Sequence, residues 1–343
     1  MKNGLKFIIL NLLIVFSAQL NAQDLHFSQY SFNPQSLNPA LTGFQRGNLR
    51  MNAQYRNQWF KVSSFATYAV AADANIIREN LDLDMLGVGL SFFQDIEEKN
   101  GFANTNIALS AAYNVKLTSK PLQYIGFGIQ PSLVKKQVNL SDAVYGTLFE
   151  TGINTDPIGF NEFGGFKFDL NMGLSYYVYF DDKHSISTGF TMSHITQPNF
   201  GTISNDPLYR KYTIYLLSEF EVGLAGLAWL KPSLYFTRQG PSTEVLPGIG
   251  ARVQFYNVSN ELFIGFGGAW RLVGHDNAKL KSTDFIGNIN LTYEQFTLGF
   301  SYDLAIAQLK SATGRNGGPE LSLLVDLNFE DRKYRRNFKM LTY

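Results

Sequence analysis

The 343-residue chain carries 29 basic and 28 acidic residues, a formal charge of +1, so no net field points to nucleic acid as a partner. It has no cysteine, which excludes a disulfide framework, a thiolate metal site and a lipidated N-terminal cysteine. With 29 Phe, 18 Tyr, 30 Gly and a mean hydropathy of -0.09 it is too polar for a bundle of membrane helices, yet it suits strands that are apolar on one face only.

Residues 1–22 read as a signal peptide: Lys2 and Lys6 form a positive start, Leu5 to Phe16 an apolar core, and Ser17 to Ala22 a small-residue stretch suited to cleavage. The cut is placed after Ala22, with Ala18 as the alternative site. No later run approaches the roughly 18 apolar residues of a transmembrane helix. Residues 23–47 are rich in Asn, Gln and Pro, with Asn33-Pro34, Asn38-Pro39 and Thr42-Gly43 as turn or extended signals. An irregular segment is expected there. Phe27, Tyr30, Phe32 and Leu37 need a dry site, so the segment is expected to fold as a plug inside a barrel, against the alternative of a disordered periplasmic arm.

From residue 48 to 330 the pattern has a period of two. The first strand alternates Leu49, Met51, Ala53 and Tyr55 with Arg50, Asn52, Gln54 and Arg56; others cover 64–76, 86–92, 106–115 and 122–135. The sixth is the longest unbroken alternation. Phe166, Phe168, Leu170, Met172, Leu174, Tyr176, Val178 and Phe180 face one side, and Lys167, Asp169, Asn171, Gly173 and Ser175 the other. Soluble strands usually run about 5 to 6 residues, whereas a tilted strand needs about 9 to 11 in the hydrocarbon with aromatic residues at the interfaces. Eight more follow at 184–193, 209–221, 227–237, 245–256, 261–272, 284–293, 296–303 and 321–329, with Pro232 expected to mark a bulge. The fold class is therefore all-β, a single transmembrane outer-membrane β-barrel of about 14 antiparallel strands. Connections sort to match: 118–121, 181–183, 257–260 and Glu294 are short, while 95–101, 136–165, 196–208, 273–281 and 307–318 are long. The exceptions are 59–63 and 239–242, short among the long set, and 77–84, the reverse. The 136–165 connection is expected outside the cell and residues 331–343 form a basic periplasmic tail. A secreted β-sandwich is the competing fold, but it has no reason to sort its loops.

Chemistry-bearing residues are sparse. His26, His184, His194 and His275 lie at no metal-ligand spacing and read as turn or interface residues. Gly126-Phe127-Gly128 and Gly265-Phe266-Gly267 lie within strands and read as close-packing positions, not nucleotide loops. No enzyme, cofactor or metal is indicated. Asp169, Glu219, Glu221, Asp303 and Asp326 point inward, as do Arg50, Arg56, Lys116, Lys167, Arg252 and Arg271. An ionic lattice holding the lumen rigid is the expectation, with a ligand site as the alternative; Arg50, Arg56, Asp169, Arg252 and Asp303 are the lumen and plug candidates. Leu170→Arg, facing lipid, is expected to cost about 2 to 4 kcal/mol, and Asn171→Arg much less.

Three blocks near the N-terminus, Gln23-Asp24-Leu25-His26-Phe27-Ser28-Gln29-Tyr30, Leu37-Asn38-Pro39-Ala40-Leu41-Thr42-Gly43 and Tyr55-Arg56-Asn57-Gln58-Trp59, keep the order and spacing of one family. His194 to Asn199, Ser301-Tyr302-Asp303 and Gly317 to Leu323 extend the match. The chain resembles the PorP/SprF family of Bacteroidetes outer-membrane proteins, with Asn38, Pro39, Arg56, Trp59, Pro198 and Asp303 as motif positions. The resemblance implies a role in type IX secretion and gliding motility, exporting or anchoring a large surface adhesin with a C-terminal sorting domain. Its implied partners are outer-membrane lipid, that adhesin or its sorting domain, and other type IX components. The runner-up is an outer-membrane channel for small hydrophobic or polar solutes. The basic stretch Arg332-Lys333-Tyr334-Arg335-Arg336 has no counterpart in the family motifs.

Overall fold

The computed structural model describes residues 24, 27–45, 47–58, 64–77, 84–97, 101–138, 153, 165–181, 183–201, 206–223, 227–255, 262–275, 279–306 and 317–329. The signal-peptide, Trp59 and basic-tail assignments lie outside them, as does nearly all of 139–164. Fourteen strands are present: β1 Leu49–Gln58, β2 Phe65–Ile77, β3 Met85–Glu97, β4 Phe102–Ser119, β5 Leu122–Val138, β6 Lys167–Asp181, β7 His184–Ser193, β8 Lys211–Glu221, β9 Ala228–Gln239, β10 Ser242–Phe255, β11 Leu262–His275, β12 Lys281–Tyr293, β13 Phe296–Ala305 and β14 Gly318–Leu327. Each pairs antiparallel with its sequence neighbours, and β1 pairs with β14 from Leu49↔Leu327 to Arg56↔Glu320, closing the barrel. Closure removes the free edge that an open sheet presents, so every strand's backbone can be satisfied within the wall.

The two faces are inverted relative to a soluble protein. Leu109, Phe127, Leu174, Ile249 and Phe266 are 50–61 % exposed, whereas Arg56, Asp169, Ser301 and Ser322 are at most 1 % exposed. An apolar outer belt around a polar interior is the pattern lipid selects. Among the described residues no helix is long and apolar enough to cross a membrane, which does not bear on crossing with strands. Connections after even-numbered strands include the tight turns at 120–121 and 294–295, while 139–166, 194–210 and 306–317 follow odd-numbered ones. The two ends of the barrel are called the short-turn and long-loop ends below.

Prolines inside strands act differently from expectation. Pro232 keeps the register on both sides; the ladder to β8 lapses between Leu217↔Ser233 and Phe220↔Leu230, and the Ser218 hydroxyl donates 2.8 Å to the Pro232 carbonyl. Pro131 and Pro247 interrupt one ladder each in the same way, between Ala108↔Ser132 and Ala111↔Ile129, and between Val245↔Leu272 and Gly248↔Ala269. A missing N–H removes a bond without requiring an extra residue, so no bulge forms. Register shifts occur elsewhere, as between Lys116 and Thr118.

Residues 27–45 lie against the inner wall, with Phe27, Phe32, Leu37, Ala40, Leu41 and Phe44 all buried. The Asn-Pro pairs start short helical turns. Asn33 caps Pro34–Leu37 by accepting from Ser36 N at 3.3 Å, and Asn38 caps Pro39–Leu41 by accepting from Ala40 N at 2.9 Å. Asn is a strong N-cap and Pro suits the first helical position, so what reads as a turn signal in sequence is a cap here. Phe44 then packs edge-on to Tyr124 and Tyr177, 5.5 and 5.3 Å between ring centres.

Candidate functional site

The site is the interface between residues 24 and 27–45 and the lumen wall, and strand parity builds it. Alternate residues of every strand turn inward. In β1 these include Arg50, Gln54 and Arg56, and in β2 Thr67, Ala69, Ala71 and Asp73, all buried. Arg50 bonds Asp73 through Nε (3.0 Å) and Nη2 (2.6 Å), while its Nη2 and Nη1 donate to the carbonyls of Leu41 (2.9 Å) and Phe44 (3.4 Å). Asp73 in turn accepts from Gly43 N at 2.6 Å. One bidentate pair thus secures the end of the segment.

A second cluster lies at the β1–β14 seam. Arg56 Nη2 meets Asp303 of β13 at 2.6 Å and Nη1 meets Glu320 of β14 at 3.2 Å and Ser28 Oγ. Glu320 accepts the Ser28 and Gln29 amides at 2.7 and 2.9 Å, and Asp303 accepts the Ser28 hydroxyl at 2.7 Å. Arg271 closes the set, 2.6 Å from Asp303 and 2.9 Å from Glu244. Desolvating so many charges is costly, and the dense hydrogen bonding is what offsets it. Arg252, against Glu219, also lies under the rings of Trp229 and Phe263, 4.9 and 4.5 Å from their centres.

The third cluster involves a histidine that sequence reasoning set aside. His194, just past β7, donates from Nε2 to Asp24 Oδ2 and from Nδ1 to Asp169 Oδ2, both at 2.5 Å. Its backbone has φ of +57° and its amide donates to Asn171 Oδ1 at 3.0 Å. Burial alone disfavours the imidazolium, but the two carboxylates outweigh it and raise the pKa to about 9. Burial likewise opposes the Asp24 carboxylate, yet the His194 charge and hydrogen bond hold its pKa well below the usual range. With a carboxylate on each ring nitrogen, the geometry shares protons and leaves no nitrogen lone pair for a metal. Asp24 therefore pairs with His194.

Glycines shape the wall beneath the segment. A Cβ on Gly128 would stand 2.2 Å from Ala40 N, one on Gly173 1.9 Å from Asn38 Oδ1, and one on Gly87 2.1 Å from the Thr42 carbonyl. Only an absent side chain lets the backbone approach so closely. In the second Gly-x-Gly pair Gly265 has nothing nearer than 3.6 Å, while Gly267 is close-packed, 3.1 Å from Gly250 and Asn288 of the wall and not against the segment. Asn38, at the centre of contact, donates 2.8 Å to the Leu174 carbonyl.

The remaining charged residues of the inner face are dispersed. Glu221 pairs with Lys183 at 2.8 Å at the short-turn end, and Asp326 accepts Gly47 N at 2.8 Å. Lys116 N donates 3.0 Å to Asp84, and Lys167 stands over the Phe200 ring. Buried Pro198 accepts Leu208 N at 2.9 Å, folding the loop after β7 back on itself. Asp73, Glu244 and Glu320 belong to the clusters although pattern reading passed over them. Inward parity was their signal: Asp73 lies among small alanines in β2, and Glu320 follows a Gly-Gly-Pro run that reads as a turn.

Among solved structures the chain is similar to a deltaS2 mutant of the TodX monoaromatic hydrocarbon channel, with TM-score 0.52 and 10 % identity over 85 % of this chain and 93 % of that one. It is also similar to the CymD monoaromatic hydrocarbon channel (0.48, 9 %, 87 % and 93 %) and the Ralstonia pickettii toluene transporter TbuX (0.45, 10 %, 85 % and 91 %). At such identities only the barrel fold is shared, and it is the first of these that carries the comparison. Among curated proteins no match is found. The family model for the type IX secretion system membrane protein PorP/SprF matches residues 19–322, from before the segment to within β14, and the chain belongs to that family as an outer-membrane β-barrel.

Proposed function

We propose that this barrel exports or anchors a large surface adhesin bearing a C-terminal sorting domain, and that residues 23–47 serve it as a resident plug. The observation that carries the reading is the family match, because it spans both barrel and N-terminal segment. Three ionic clusters tie that segment to six strands, β1, β2, β6, β11, β13 and β14, which supports a barrel kept shut over one kept open for solutes. The chemistry is binding and placement, without a catalytic step. In this reading residues 1–22 are the signal peptide, the long-loop end faces the exterior, residues 331–343 are a periplasmic tail, and the partners are lipid, the adhesin and other type IX components.

The test is removal of the protein from its native cell. Loss of one surface protein with a sorting domain, read by mass spectrometry of surface-exposed proteins and restored by re-expression, supports the proposal. Unchanged surface proteins with altered uptake of small solutes would favour the channel reading.

A further inference from the structure

Two cavities remain in the lumen beside the N-terminal segment. The larger, about 140 Å³, lies at the long-loop end, where its lining reaches Ser193 and Lys211, the last residue of β7 and the first of β8. Phe27, Tyr30, Asn33 and Ser36 of the segment line its other side. It has room for about ten water-sized groups, the size of a single sugar ring. The other cavity, about 120 Å³, lies between residues 28–32 and the wall of β8 to β12.

Every charge that lines the larger cavity is answered by an opposite one. His194 is held between Asp24 and Asp169, and Lys211 has Asp24 and Glu244 within reach. An ion entering here would have to displace one of these partners, so the lining suits a neutral ligand. The polar groups left over are amides and hydroxyls. Gln130 and Asn171 are spent on each other, on Ser110 and on His194 N. Asn33 uses its oxygen to cap Ser36 and keeps its NH2, whereas Asn104 Oδ1 is buried and takes no hydrogen bond among the described residues. Asn106, two residues on in β4, shares the inward face of Asn104 and lines the same space.

Two aromatic pairs join segment and wall around it. Phe27 meets Phe93 edge-on with ring centres 6.2 Å apart, and Tyr30 stacks on Tyr235 at 4.8 Å. A pyranose ring matches this lining, because its C–H faces pack on aromatic surface while its rim of hydroxyls both donates and accepts. A hydrocarbon of the same size would leave the Asn104 oxygen without a partner.

We propose that this cavity binds one neutral hexopyranose ring, with Asn33 donating to its hydroxyls, Asn104 accepting from them, and the Phe27–Phe93 pair covering an apolar face. The ring is a free sugar or the end residue of a glycan, since both present the same hydroxyls. The site is independent of which cargo the barrel serves.

The test uses the purified full-length mature protein in lauryldimethylamine oxide, a detergent without a sugar headgroup. Saturation-transfer NMR is recorded with the methyl α-glycosides of glucose, galactose and mannose. At least one should take up saturation at its ring protons and be displaced by the parent hexose. Asn104→Leu and Phe93→Ala should each raise its Kd about tenfold or more, with heat-modifiable gel migration unchanged. Asn290→Leu, in the other cavity, should leave the Kd at its native value. A disaccharide ending in the same hexose separates the two sources: equal binding through its non-reducing ring marks a glycan end, and exclusion marks a free sugar. No saturation of any of the glycosides, a Kd unchanged in either variant, or one raised equally in Asn290→Leu would overturn the proposal. If Phe93→Ala does not yield a folded barrel, Phe93→Leu removes the ring while keeping its bulk, with an unchanged Kd again counting against the site.

Discussion

Arg56 is 1 % exposed and shared among Ser28, Asp303 and Glu320, so its removal takes the arginine from buried Glu320 and leaves Asp303 with Arg271. Arg56→Ala should destabilise the barrel by about 3 to 5 kcal/mol in urea unfolding from lipid vesicles, and Arg56→Lys by less, because the ammonium keeps the charge but loses the fork. His194 gives a pH dependence of defined sign. Its folded pKa of about 9 exceeds the ordinary 6.5, so its stabilisation is complete below about pH 6.5 and is lost as pH rises through 9. Asp24 works from the other side: its lowered pKa contributes above the ordinary 3.8 and fades as pH falls below that value. Unfolding at pH 6, 8 and 10 should show a loss on the order of 3 kcal/mol across that interval, absent in His194→Gln. Asn171 corrects an expectation. By parity alone inward polar positions are cheap sites for charge, but Asn171 donates 2.9 Å to Gln130 and holds His194 N, so Asn171→Arg should destabilise as clearly as a charge facing lipid does.

At the scale of elements, the glycine-paved strands and the segment they carry form one fitted surface. Gly128→Val should unseat residues 27–45 while leaving the strands paired, since the clash is with Pro39 and Ala40 and not with the neighbouring strands. Protease cleavage within the segment, with unchanged heat-modifiable gel migration of the barrel, is the expected result. Strands were legible in the sequence because their signal is local: β7 spans 184–193 by pattern and in the structure alike, and the other bounds differ by a few residues. The segment was legible only as irregular and partly apolar. Its caps needed just the Asn-Pro pairs, but its partners lie on distant strands, and no local period reveals that Asp24 meets His194 or that Ser28 meets Asp303 and Glu320. The glycines of β5 were visible as small residues; what covers them was not. Strand position, too, mattered more than parity. Leu170 is near the start of β6, so the mid-depth test belongs to Leu174, 50 % exposed, where arginine should cost about 2 to 4 kcal/mol in folding titrations.

For the whole molecule, the wall and its contents divide two tasks, one facing lipid and the other the lumen. Deleting residues 24–39 should give a folded barrel that conducts ions more than the intact protein in planar bilayers; equal conductance and equal protease resistance would speak against a plug. The seam adds an order to assembly. Ser28 N and Gln29 N bind Glu320, 292 and 291 residues later, and Arg56 of β1 and Asp303 of β13 stand on opposite sides of the β1–β14 seam. Half of the docking site thus comes into being when β14 finds β1. Residues 28 and 29 have to wait for residue 320, a contact of long sequence separation and hence of a slow kind. An intermediate still lacking its final strand should keep residues 27–45 loose and sensitive to added protease, so a stalled barrel is distinguishable from a finished one by cleavage of that segment alone.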